Sequence, residues 1–138
     1  MSNNIRFEDY SKQVIGAIDR EILNALEEVS GELEGQVKDN TKVDTGKTKN
    51  SWTHKVDESK YEAYVGSNYE NAIWEEFGTG IYAQNGNGRK DVPWVYQSED
   101  GKWHRTKGKK PRKALQNAFK SMKNSIKKYF EERFKNLW

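Results

Sequence analysis

The sequence predicts an α+β domain in which long N-terminal and C-terminal helices pack a small antiparallel sheet. Three observations predict it. Apolar residues recur in steps of three and four near both chain ends. Short runs of alternating residues lie between them. An Asp-Gly pair separates two of those runs, a strong hairpin signal. The 138 residues fit a single domain, 1–138.

The first helix is predicted over 7–40. Val14, Ile15, Ile18, Ile22, Leu23, Leu26, Val29, Leu33 and Val37 mark its buried face. Gly16, Gly31 and Gly35 each weaken it by about 1 kcal/mol against Ala, so a bend is expected after Ser30. Thirty residues of such a helix span about 45 Å, enough for an arm that reaches a neighbour. Thr41 to Asn50 reads as a polar turn, with Asp44 closing an Asx-type turn and Gly46 supplying a positive φ.

The strands and a short helix occupy 51–106. Trp52, His54 and Val56 share one face of a strand, and Tyr61, Ala63 and Val65 begin a second. Ser67 or Asn68 is placed to cap a short helix, Tyr69 to Phe77, that stops at Gly78 with Phe77 buried. Residues 81–93 read as a mobile Gly/Asn loop, and 94–97 with 102–106 as a hairpin. Pro111 is placed in the first turn of a last helix, 111–137. Its stripe is Leu115, Phe119, Met122, Ile126, Phe130, Phe134 and Leu137.

Composition removes several classes. Leu, Ile, Val and Phe together make 25 of 138 residues, so the aliphatic core is thin. Five Trp and seven Tyr restore much of the burial, and contact with other subunits is one remedy for the rest. No apolar run is long enough for a membrane span, and the first residues lack a signal-peptide pattern. The chain has no Cys, which excludes disulfides, thiolate zinc sites and Cys nucleophiles. This usage fits a cytoplasmic origin.

No catalytic constellation assembles. His54 and His104 lie in strand-like alternation without a ligand cluster around them, so no metal or other cofactor is expected. Glu27-Glu28, Glu75-Glu76 and Glu131-Glu132 diverge by about 100° on their helices and read as solvated faces. Gly78-Thr79-Gly80 and Gly86-Asn87-Gly88 are not followed by the Lys-Ser/Thr of a phosphate loop.

Charge is unevenly placed. Residues 1–100 carry 11 Lys/Arg against 19 Asp/Glu, a balance of −8, and 101–138 carry 13 against 2, a balance of +11. Opposed halves suit head-to-tail docking of identical subunits. Lys102, Trp103, Arg105, Lys107, Lys109, Lys110 and Arg112 form a basic cluster around an aromatic ring, a pattern that suits phosphate and base contact. The plain alternative is a solvated basic face. Lys102, Lys107, Lys109 and Lys110 precede a helix, where the macrodipole disfavours cations.

Three separated motifs together resemble the siphophage minor tail component family, which acts in head–tail joining and tail completion. The first is Val43-Asp44-Thr45-Gly46-Lys47 followed by Lys49-x-Ser51. The second is Tyr64-Val65-Gly66-Ser67, then Tyr69-x-x-Ala72-x-Trp74-x-Glu76-Phe77-Gly78-Thr79-Gly80. The third is Gly108-Lys109-Lys110-Pro111 leading into a helix with Ala114, Leu115 and Ala118. Thr48 stands where the family usually has Leu, and Ala114-Leu115 replaces an aromatic-Leu pair. The resemblance implies a structural virion protein between head connector and tail tube, arranged with itself as a ring of six. It makes Asp44, Thr45, Gly46, Lys47, Glu76, Phe77, Gly78, Thr79 and Gly80 candidate interface residues. The runner-up is a nucleic-acid-binding domain using 102–113, and DNA passing the junction would join the two readings. Ordering of 81–106 by contact with neighbours is expected to lower its protease sensitivity on assembly.

Overall fold

A computed structural model describes residues 11–43 and 46–135. Its elements are α1 (Ser11–Asn40), α2 (Lys47–Ser51), β1 (Trp52–Asp57), β2 (Glu62–Ser67), α3 (Glu70–Phe77), β3 (Trp94–Gln97), β4 (Trp103–Thr106) and α4 (Ala114–Phe134). A 3-10 turn occupies Gly80–Tyr82. The class is α+β with long terminal helices, as the periodicities predict. The strands differ from one small sheet. They form two separate antiparallel pairs, β1 with β2 and β3 with β4. No described helix is long and apolar enough to cross a membrane.

The helix α1 continues as one element through Gly31 and Gly35. The Ser30 hydroxyl donates back to the Leu26 carbonyl at 2.6 Å. The predicted start at Phe7 lies outside the described residues. The helices α1 and α4 run antiparallel. Asn40 at the end of α1 donates to the Ala114 carbonyl at 3.1 Å, where α4 begins. Near the other end, the Tyr129 hydroxyl donates to Glu28 at 2.5 Å, and Arg133 bonds Glu21 and Glu28.

The core is small because the residues that build it are small. Val37, Trp52, Ala72, Ala114 and Ala118 are buried together, with Leu33, Val65, Tyr69 and Leu115 packed around them. Ala114 and Ala118 let α4 lie close to its neighbours. This turns the buried face away from Phe119, which the predicted stripe included and which is 51% exposed. Val14 and Ile15 are exposed too, because the α4 ion pair to α1 reaches only to Glu21. Leu137 lies outside the described residues.

Boundaries differ elsewhere for local reasons. The polar turn after α1 contains α2, entered through Gly46 at φ 86°. The Ser51 hydroxyl donates to the Thr48 carbonyl at 2.7 Å inside that single turn of helix. Tyr61 does not open β2. It sits at φ 52° in the β1–β2 turn, and β2 begins at Glu62. Pro111 lies before α4, not in its first turn, and α4 starts after Lys113 in a left-handed conformation at φ 56°.

His54 ties β1 to α1. Its Nε2 lies 2.6 Å from Glu27 Oε1 and its Nδ1 lies 3.2 Å from Glu34 Oε1. A neutral imidazole has one N–H, so only the imidazolium donates to both carboxylates. The hydrogen bond to Glu27 raises the His54 pKa most, burial opposes it, and the bond to Glu34 adds to the rise. The folded pKa therefore lies above the unfolded value of about 6.5. The resulting stability is fully present below the unfolded pKa and is lost as pH rises through the folded pKa. His54→Gln is expected to flatten this part of the pH dependence. Denaturant unfolding of both proteins at about pH 5.5 and pH 8.5 checks it. The same pH slope in both would show that the clamp contributes nothing.

Candidate assembly interface

The three sequence signatures fold onto one another. Ser67 of the second donates to the Ser51 hydroxyl of the first at 2.6 Å and accepts the Tyr69 N–H at 3.0 Å. The Asn71 side chain donates to the Thr48 hydroxyl at 2.9 Å. That bond explains a polar residue at a position where the resemblance leads one to expect Leu. The second signature then grips the third. The Thr79 N–H donates to the Lys109 carbonyl at 2.9 Å, and the Ile81 N–H to the Lys107 carbonyl at 3.1 Å. The Lys109 N–H donates back to the Thr79 hydroxyl at 2.9 Å.

Glu76 is the centre of this knot. It is 2% exposed. Its carboxylate accepts the Leu115 N–H at 2.6 Å, the Gln116 N–H at 3.1 Å and the Gln116 side-chain amide at 2.9 Å. These are free donors of the first turn of α4, and an anion there also meets the positive end of the helix dipole. The carboxylate therefore offsets the basic residues that precede α4. The sequence offered Glu75-Glu76 as a solvated pair and Glu76 as an interface residue. It is an internal cap supplied from 39 positions upstream of Leu115.

Phe77 corrects the expectation in the opposite sense. It was expected buried at the helix stop and is 43% exposed. Gly78 and Gly80 are buried beneath it. With Ile73 and Trp74, Phe77 makes an exposed apolar face on α3, continued by Ile81 and Tyr82 of the 3-10 turn. The rotation follows from Glu76. Once that side chain points at α4 and Ala72 enters the core, residues 73, 74 and 77 turn outward. Periodicity over eight residues cannot reveal this, because the partner that orients α3 lies in the third signature.

The remaining candidates spread out. Gly46 enters α2, and Lys47 reaches the turn of the β3–β4 hairpin, its Nζ 2.7 Å from Glu99. That bond raises the Lys47 pKa. Asp44 and Thr45 lie outside the described residues. In the hairpin, Val95, Trp103 and Arg105 are exposed, and Trp103 is 67% exposed. Several cations have local companions: Lys102 lies 4.0 Å from Asp100, Lys109 lies 4.0 Å from Glu75, and Lys110 sits 5.9 Å from the Tyr82 ring centroid. Lys107 and Arg112 flank the knot through backbone bonds, Arg112 N–H to Glu75 carbonyl at 2.7 Å. The structure thus separates the basic cluster into an outward hairpin edge and a pinned strand leading to α4.

Between α3 and the hairpin lies a cleft of about 640 Å³. Trp74 forms one wall and Trp94 with Tyr96 the other, and Arg89 and Lys109 are also part of the lining. The Arg89 guanidinium lies 5.1 Å from the Trp94 ring centroid. Tyr96 stacks on His104 at 5.1 Å. Residues 81–93, expected as a mobile loop, are anchored at their start. The Gln84 N–H donates to the Phe77 carbonyl at 2.7 Å, and Gln84 and Gln116 exchange amide bonds at 3.0 Å. Among the described residues, no group of three or more His, Cys, Asp or Glu is placed to hold a metal ion.

A protein-family model described as "Bacteriophage HK97-gp10, putative tail-component" matches residues 5–78. The matched stretch holds the first two signatures up to the end of α3. No curated protein and no solved structure matches the chain.

Proposed function

The chain belongs to the HK97-gp10-like family of bacteriophage tail components, and on that premise we propose that it joins head to tail. In this reading it completes the top of the tail, as a ring of six copies between the head connector and the tail tube. Its work is assembly and involves no bond chemistry. The observation that carries the reading is the exposed α3 face of Ile73, Trp74 and Phe77. A chain with so thin a core does not leave three large apolar side chains in water without cost, and a contiguous exposed patch marks a contact surface. The knot beneath them holds that surface rigid, because Glu76, Gly78 and Gly80 fix the backbone from below.

In vitro complementation tests it. Purified protein added to a lysate that lacks it is expected to restore infectious particles, and Trp74→Glu with Phe77→Glu is expected to fold yet fail. Full restoration by the double variant would remove the α3 face from the account. A DNA contact by the hairpin edge is favoured by one observation, the exposure of Trp103 beside Arg105. It predicts binding that weakens steeply with salt but persists near physiological ionic strength. Loss of binding well below that point would reduce the basic edge to a solvated one.

A further inference from the structure

We propose that the cleft between α3 and the β3–β4 hairpin receives the N-terminal segment Phe7-Glu8-Asp9-Tyr10 of a second copy of this chain. The proposal rests on the ring reading and supplies its joint. The cleft defines its own ligand. Its walls are aromatic, its lining includes Arg89 and Lys109, and no carboxylate of the described residues lines it. The complement is a chain segment that carries aromatic rings and carboxylates together. Its volume of about 640 Å³ falls in the range that encloses a short segment.

Phe7-Glu8-Asp9-Tyr10 has that chemistry, with two carboxylates between two aromatic rings. Extended, four residues span about 13 Å, and their side chains alternate. Phe7 and Asp9 then share one side, and Glu8 and Tyr10 the other. Each side offers one ring to an aromatic wall and one carboxylate to a cation. In sequence the segment directly precedes Ser11, the first described residue of α1. The helix projects from Glu21, where Arg133 grips it, back to Ser11, ten residues or about 15 Å.

The hairpin's strands pair with each other, and its turn is tied to α2 by the exposed Lys47–Glu99 pair. A two-stranded hairpin is marginal alone, so a segment laid against Trp94 and Tyr96 would stabilise it. A contact of arm to cleft joins two different surfaces, which generates a ring when the rotation closes.

The chain contains no Cys, so engineered cross-links have no background. One chain carries Glu8→Cys and another Asn87→Cys, an exposed position in the cleft lining. They are mixed under mild oxidation at concentrations up to those at which sedimentation detects self-association. Circular dichroism confirms that each is folded. The expected result is a mixed disulfide at least about ten-fold more abundant than that of Glu8→Cys with Lys123→Cys on the outer face of α4. Arg89→Glu is expected to suppress the bond and Asp9→Arg in the partner to restore it. Equal cross-linking at both positions, or none, overturns the proposal. Oligomers that form without the bond leave the ring reading standing and remove only this joint.

Discussion

Replacing Glu76 with alanine is expected to destabilise the fold by about 2–4 kcal/mol, the largest effect of any single carboxylate among the described residues. The change strips an acceptor from the Leu115 and Gln116 N–H groups and from the Gln116 amide, in a site almost closed to water. Buried donors left without a partner cost more than the net worth of the bonds. Glu76→Gln keeps one acceptor and loses the charge, so about half that loss is expected. Thermal and urea unfolding measure both. For a domain of this size the alanine variant should melt about 6–12 °C lower. A loss no larger than that of Glu75→Ala would mean that α4 is held by its apolar face alone.

Gly80→Ala and Gly108→Ala are expected to cost about 3 kcal/mol or more each, and to reduce folded yield. A Cβ on Gly80 would lie 2.0 Å from the Lys107 carbonyl oxygen, and one on Gly108 would lie 2.1 Å from that of Thr79. Both neighbours are backbone carbonyls already engaged, that of Lys107 by the Ile81 N–H and that of Thr79 by the Tyr82 N–H, so neither can step aside. Both glycines also hold positive φ, 60° and 129°. Gly46→Ala is the contrast. Its φ is 86° but its Cβ would meet only the end of Asn50 at 3.6 Å, so about 1 kcal/mol of backbone strain is expected. Comparable losses at all three positions would show that the close approach of the two chain segments adds nothing.

The two predictions explain what the sequence could and could not disclose. The helices α1 and α4 were legible because their apolar spacing runs over many turns, and the hairpin because Asp100-Gly101 fits its tight turn. The short helix α2 was not, since Lys-Thr-Lys-Asn-Ser has no apolar period and its order comes from Ser51 and Thr48 reaching residues of the second signature. The start of α4 was placed three residues early. Pro111 is a fair first-turn residue in isolation, but the Arg112 N–H is taken by Glu75, and the chain must turn at Lys113 to present its donors to Glu76.

The candidate site was legible as motifs and misread as faces. Gly78, Thr79 and Gly80 stand where the second and third signatures meet. Which of Glu76 and Phe77 points inward depends on a residue some 40 positions away, and no local pattern carries that. The surface we propose therefore includes Ile73 and Trp74, which the motif reading had not selected as interface residues, and Phe77, which it had selected but expected buried; all three are exposed. Trp74 was visible within the second signature; its role was not, because a tryptophan in a short amphipathic helix ordinarily enters the core.

The proposed place of the protein is the junction of head and tail. Electron microscopy of lysates from the parent phage with this gene silenced tests that placement. Full heads lying apart from tails of complete length are expected, and normal joined, infectious particles would contradict it.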